Sequence, residues 1–182
     1  VIAAISVRFV YPAFQLEGRP FWFILSDPVP QREMCRKKLG LFIPPVLVLA
    51  LILNYLSNRY MSPPPFLFYL SFGYILLVSF VSPLAALYLG TRKIDFHETP
   101  NPYGGMGGIT AMLAMLSYAA VSLGLMAWSS SSLLFFVQRK IMVPFSVQMR
   151  AAAVYLLIAA GSLLLMRFLF RGTIRNLENI EL

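Results

Sequence analysis

Residues 66–89 read FLFYLSFGYILLVSFVSPLAALYL and decide the fold, because no charged side chain interrupts them. At about 1.5 Å of rise per residue, a helix over this stretch is about 36 Å long, enough to cross a hydrocarbon core of roughly 30 Å. Three further stretches have the same character, at residues 39–56, 109–128 and 151–170, with Arg167 near the end of the last. The pattern predicts four transmembrane helices.

The composition favours the same interpretation. Apolar residues make up 59% of the 182 residues and charged residues 12%, which is too little polar surface to cover a soluble domain of this size. We therefore predict an all-α fold, a polytopic transmembrane helical bundle in which residues 1–182 form a single transmembrane domain. Residues 1–10 are interpreted as the end of a truncated span, since they are apolar and begin without Met. Residues 171–182 are interpreted as a short polar inner tail.

Lys and Arg residues near the span ends predict the orientation, because these cations resist translocation. The richer set of alternate loops holds Arg8, Arg19, Arg32, Arg36, Lys37, Lys38, Arg92, Lys93, Arg167, Arg171 and Arg175. The poorer set holds Arg59, Arg139, Lys140 and Arg150. The richer set is predicted to be inside, in a multi-pass protein of the inner (cytoplasmic) cell membrane. The net charge of +8 then reflects topology and contact with the anionic lipid bilayer, and no nucleic acid is expected as a partner.

Residues 11–38 are the most distinctive part of the predicted inner side. Pro20 suits the first turn of a short helix, and Pro28 disfavours a helical conformation in the residue before it. Between the two prolines lie Phe21 and Trp22. A short helix with a bulky aromatic side is typical of an amphipathic helix that lies flat at the membrane surface.

Prolines inside two spans predict local distortion. Pro44 and Pro45 are expected to bend or restart the first span, and Pro83 is expected to bend the second. Each proline ring removes one intrahelical hydrogen bond and clashes with the preceding turn.

The second inner loop, at residues 91–108, contains the only sequence arrangement that resembles a metal site. His97 stands beside Asp95 and Glu98, but three donors so close together, without the i, i+4 spacing of a helical site, make a poor ligand set. We interpret the segment as a solvated turn and expect no metal, no cofactor and no catalytic residue. A membrane enzyme that uses His97 is kept as the least favoured alternative.

No Asp or Glu lies inside a predicted span, so the carboxylates that relay protons in ion-coupled transporters are missing from these spans. If the protein moves a substrate, its energy is expected to enter through another polypeptide or domain on the inner side.

The order Leu16-Glu17-Gly18, then Phe21-Trp22, then Pro28, followed by a basic helix and a span, resembles a cytoplasmic loop of a known class. The class is the permease subunits of type-2 exporter ATP-binding cassette (ABC) transporters, and the likeness is greatest to the large ABC exporter permeases. Asn101-Pro102 and the glycines that follow resemble the later inner loop of the same proteins.

The resemblance implies a coupling element that docks on a partner ATP-binding cassette ATPase, formed by Glu17, Gly18, Phe21, Trp22 and Pro28. It implies anchoring of the next span at lipid headgroups by Arg36, Lys37 and Lys38. ATP hydrolysis is then expected on the partner, so that this chain is not itself an enzyme, and a second permease copy or homologue is a further candidate partner. The predicted function is export of an unidentified substrate. The alternative is a structural subunit that scaffolds a larger membrane complex without transporting.

Overall fold

The structure is a computed structural model that describes residues 2–14, 31–61, 63–92, 106–138 and 144–178. Within these ranges every regular element is a helix. The helices are α1 (Ile2–Ala13), α2 (Gln31–Met61), α3 (Pro65–Thr91), α4 (Met106–Gln138) and α5 (Phe145–Glu178). The α1 segment changes from α-helix to π-helix at Ser6 and to 3₁₀-helix at Tyr11. The predicted all-α fold is confirmed.

Four helices of the described ranges are long and apolar enough to cross a membrane. They are the whole of α2, α3 and α5, and Gly108–Ser131 within α4. Each predicted span lies inside one of these helices, so the multi-pass membrane character is confirmed. The helices extend past the apolar stretches, because hydropathy marks what the bilayer accepts whereas intrahelical hydrogen bonds continue through polar residues. The predicted short helix between Pro20 and Pro28 lies outside the described residues.

The prolines do not interrupt their helices. Helix α2 continues through Pro44 and Pro45, so the expectation that it restarts there is wrong. Helix α3 continues through Pro83 in the same way. In a bilayer a broken helix would leave several backbone groups without partners, whereas a continuous helix loses only the bonds that the proline itself removes. A bend at either position stays a prediction.

Helix α3 is the centre of the bundle. It contacts α1, α2, α4 and α5. Half of its most hydrophobic window is buried, against 17% for each of the other three long helices. Small residues make this possible: a side chain at Gly73 would collide with the Tyr155 hydroxyl, and one at Gly90 would collide with the Tyr11 carbonyl oxygen. Close approach of this kind is how helices gain contact in lipid, where apolar burial alone gives little advantage.

Hydrogen bonds between side chains also connect the three C-terminal long helices. The Tyr74 hydroxyl in α3 lies 2.9 Å from Ser122 Oγ in α4. The Tyr118 hydroxyl in α4 lies 2.7 Å from Ser162 Oγ in α5. Such polar contacts fix the rotation of one helix against the next, at about 0.6 kcal/mol each on average in membrane proteins.

The largest apolar cluster lies at one end of the bundle, where α1 meets the start of α2 and α4 and the end of α3 and α5. We call it the basal cluster, and it consists of Val10, Tyr11, Phe14, Cys35, Leu39, Leu84, Ala86, Leu87, Ala111, Met115, Leu169 and Leu177. Leu177 is 2% exposed, so the first part of the predicted inner tail is a continuation of α5 that packs into the bundle. A smaller cluster around Leu70 and Ala151 lies at the opposite end.

Candidate functional site

The five predicted coupling residues, Glu17, Gly18, Phe21, Trp22 and Pro28, lie outside the described residues. The structure describes the chain on both sides of them, up to Phe14 and from Gln31 onward. The described part of the candidate site consists of two flanks: the end of α1 up to Phe14, and the start of α2 from Gln31.

The Lys38 side chain connects the two flanks. Lys38 Nζ in α2 donates a hydrogen bond of 2.7 Å to the carbonyl oxygen of Ala13, the last residue of α1. The same ammonium lies 4.0 Å from the centroid of the Phe14 ring, within the range of a cation–π interaction. Phe14, the last described residue before the predicted coupling segment, therefore lies close to the start of α2. We call this contact the Lys38 clamp.

The flank before the site is packed tightly onto the central helix. Phe14 is fully buried, and Tyr11 is 4% exposed. The Tyr11 carbonyl lies so close to Gly90 of α3 that any side chain there would collide with it. A displacement of the segment that begins after Phe14 would consequently act on α2 through Lys38 and on α3 through this backbone contact.

The three residues predicted to anchor α2 at lipid headgroups occupy different environments. Arg36 and Lys37 are exposed, whereas Lys38 is half-buried. Lys38 follows Cys35 by three residues and precedes Leu39, and both of these are buried in the basal cluster. Residues three apart share one side of a helix, so the spacing of Cys35 and Lys38 is a signal in the sequence that could have separated Lys38 from its neighbours. Headgroup anchoring by the three residues stays a prediction.

Basic side chains of several helices gather at the basal end. Arg92 at the end of α3 lies at the same cavity as Arg167, Arg171 and Arg175 of α5. At the other end of the described bundle, Arg59 lines a separate cavity. This distribution agrees with the predicted division of the chain into a richly and a poorly basic side, although the side that faces the cytoplasm stays a prediction.

The described residues include no group of three His, Cys, Asp or Glu side chains that could hold a metal ion. Asp95, His97 and Glu98 lie outside these residues. At the basal end, the end of α1 contacts α2 through Lys38 and α3 through Gly90.

A family model with the description "Putative ATP-binding cassette" matches residues 1–182. No curated protein and no solved structure shows a significant match to the chain. The family match supports a relation to ABC transporters, which the resemblance of residues 11–38 also indicated, and the four long apolar helices give the membrane character. By the match over its full length, this chain belongs to the ATP-binding cassette family that the model describes, as an ABC transporter-related membrane protein.

Proposed function

We propose that the protein is a permease part of an ATP-driven ABC exporter, which couples a partner ATPase to the export of a substrate. Family membership and the four apolar helices support this proposal. The chain also contains no glycine followed by Lys-Ser or Lys-Thr, the end of a phosphate-binding loop, so nucleotide hydrolysis is assigned to a partner. The direction of transport rests on the resemblance of residues 11–38 to exporter loops.

The observation that carries the proposal is the Lys38 clamp. Both flanks of the predicted coupling segment are joined through Lys38, Ala13 and Phe14. A partner that moved the segment would move the end of α1 and the start of α2 together. Because packed interfaces shift between discrete arrangements and deform little, such a movement would reach α3 as a rigid-body displacement.

The predicted docking residues fit a protein partner. Phe21 and Trp22 are aromatic anchors of the kind enriched at the centres of interfaces, and Glu17 adds a charge beside them. The same aromatic residues would also suit a simple membrane-surface helix. The two interpretations differ in what Trp22→Ala should change.

The test is co-purification of the ATPase with Trp22→Ala and with Trp128→Ala, the other tryptophan of the chain, which lies near the opposite end of the bundle and is 77% exposed. Loss of an aromatic interface anchor typically costs about 2 kcal/mol or more, so we expect Trp22→Ala to weaken ATPase binding about thirtyfold. Trp128→Ala should leave ATPase binding unchanged. Both variants should insert into the membrane normally, since the spans are intact.

Unchanged ATPase association in Trp22→Ala and in Trp22→Ala combined with Glu17→Ala would contradict the coupling assignment. A membrane-surface role alone predicts altered expression or depth of insertion with normal ATPase binding. The scaffold alternative predicts that the chain co-purifies with a membrane complex but that no substrate-stimulated ATP hydrolysis depends on it.

A second permease copy or homologue is proposed as a further partner. In α2, α4 and α5, 17% of the most hydrophobic window is buried within the described bundle. These helices therefore offer long apolar surfaces to lipid or to other spans.

A further inference from the structure

A cavity of about 510 Å³ opens between the end of α3 and the second half of α5. Its size falls within the range of small-molecule sites, which is roughly 300–1,000 Å³. Its lining consists of Tyr88, Arg92, Leu164, Arg167, Phe168, Arg171, Gly172, Arg175 and Asn176. The coupling proposal does not use these residues.

The cavity is strongly basic. Among the described residues, its lining includes four arginines and no acid, and all four arginines are exposed. Arg167, Arg171 and Arg175 follow one another at four-residue intervals, so they lie on one side of α5, where like charges repel each other. An anion held among them would remove this repulsion. The cavity at the opposite end, of about 390 Å³, is lined by Arg59 as its single charged residue.

The polarity of the lining changes along α5. Leu164 and Phe168 lie toward the middle of the bundle, and Arg171, Arg175 and Asn176 lie toward its basal end. The rise from residue 164 to residue 176 is about 18 Å, and the 34 residues of α5 extend about 51 Å, beyond the roughly 40–45 Å of a whole bilayer. With residues 151–170 as the predicted span, Arg171 and Arg175 fall at headgroup depth, Arg167 lies just inside the span, and Leu164 and Phe168 face the hydrocarbon region.

Several contacts hold the walls of the cavity in place. A side chain at Gly172 would come within 2.5 Å of the Tyr88 ring, so this ring is seated directly on the α5 backbone. The rings of Tyr88 and Phe168 lie 6.3 Å apart between centroids. Asn176 Nδ2 donates a hydrogen bond of 3.4 Å to Thr91 Oγ1, which connects the ends of α3 and α5. The cavity is consequently formed before any ligand arrives, which reduces the entropic cost of binding.

We propose that this cavity binds the phosphate headgroup of an anionic membrane lipid. Guanidinium groups suit phosphate because their planar fork of donors matches two oxygens at once. A free phosphate would use the arginines alone, whereas a lipid would also place an acyl chain against Leu164 and Phe168. The continuity of basic and apolar lining favours the lipid. The site is independent of the coupling segment and of its proposed ATPase partner.

The experiment uses the full chain in bilayer nanodiscs of phosphatidylcholine mixed with phosphatidylglycerol, with retained lipids counted by native mass spectrometry. The test variant combines Arg171→Gln with Arg175→Gln. The control combines Arg59→Gln with Arg150→Gln, which removes the same charge from exposed arginines away from the cavity. If each arginine contributes about fivefold, or about 1 kcal/mol, the test variant should lose about twenty-fivefold of its affinity for phosphatidylglycerol.

The unmodified protein should retain phosphatidylglycerol in preference to phosphatidylcholine, and the control should do so equally. Absence of this preference would overturn the proposal, because the cavity would then not select an anionic lipid. Equal losses in test and control would also overturn it, because basic charge alone would then attract the lipid. Displacement of phosphatidylglycerol by millimolar inorganic phosphate would overturn the lipid assignment and indicate a site for a free anion. Gly172→Ala provides a check at constant charge: it pushes the Tyr88 ring aside and should lower lipid retention.

Discussion

Replacement of Lys38 by Met tests whether the Lys38 clamp holds the end of α1 against α2, as the proposed function requires. Methionine keeps the length and the apolar stem of lysine but cannot donate to the Ala13 carbonyl or interact as a cation with the Phe14 ring. The Lys38 clamp would be lost, while the packing of Cys35 and Leu39 beside it would be kept. We expect the end of α1 to separate from α2 more often.

The magnitude is worked from two of the interactions that Lys38 would lose. A hydrogen bond from a charged donor contributes about 1.5–3 kcal/mol, and a cation–π contact at a partly exposed site contributes about 0.5–1 kcal/mol. Lys38 is half-buried, so we take the lower value of each. The sum is about 2 kcal/mol, which corresponds to about a thirtyfold increase in the population of the separated state.

Labelling of Cys35 can measure this separation. Cys35 is the only cysteine, it is fully buried, and it lies in the basal cluster with Phe14. A thiol reagent can reach it only when this end of the bundle opens. When opening is rapid and reversible, the labelling rate is proportional to the open population. Lys38→Met should therefore be labelled at Cys35 about thirty times faster than the unmodified protein.

Arg36→Met is the matched control, because Arg36 is exposed and lies two residues before Lys38 in the same helix. Its labelling rate should remain within about twofold of the unmodified protein, as expected for a surface substitution. Equal labelling of Cys35 in Lys38→Met and in the unmodified protein would refute the reasoning, since the clamp would then contribute nothing to closure.

Two further results are expected. Gly90→Ala should increase Cys35 labelling, because its methyl group collides with the Tyr11 carbonyl and overpacking costs about 1–3 kcal/mol. Gly124→Ala, with open space around the new methyl group, should leave labelling unchanged, and equal effects of the two variants would contradict a role for the contact between Gly90 and Tyr11. A cysteine at Ser62, in a Cys35→Ser background, should react with an impermeant reagent added outside the cell, and labelling only from the inside would reverse the predicted orientation.

The membrane-spanning character could be predicted from the sequence because it depends on the summed hydropathy of consecutive residues. Every residue of 66–89 contributes to the cost of leaving the bilayer, wherever its neighbours lie, and the same holds for the other spans. The predicted polar tail at residues 171–182 shows what such sums leave out, because α5 continues through it to Glu178. Ile174 and Leu177 have helical spacing in the sequence, but whether Leu177 is buried depends on the helices that surround it.

The prolines illustrate the opposite case. Pro44 and Pro45 have a strong local preference against a helix interior, and a bend or a restart was the expectation that follows from that preference. The structure keeps α2 continuous. A membrane helix cannot transfer its broken hydrogen bonds to water, so the environment outweighs the local preference.

The sequence alone determines three features: the four spans, the unequal distribution of basic residues and the resemblance of residues 11–38 to an exporter loop. Each of them is a property of residues that are neighbours in the chain. The tertiary structure decided which of those residues meet. Lys38 contacts a carbonyl 25 positions earlier in the chain, and Arg92 shares a cavity with Arg175 of another helix. Such pairs depend on the rotation and depth of each helix, which are set by close contacts such as the one between Gly90 and Tyr11. Hydropathy or charge summed along the sequence contains no information about these contacts.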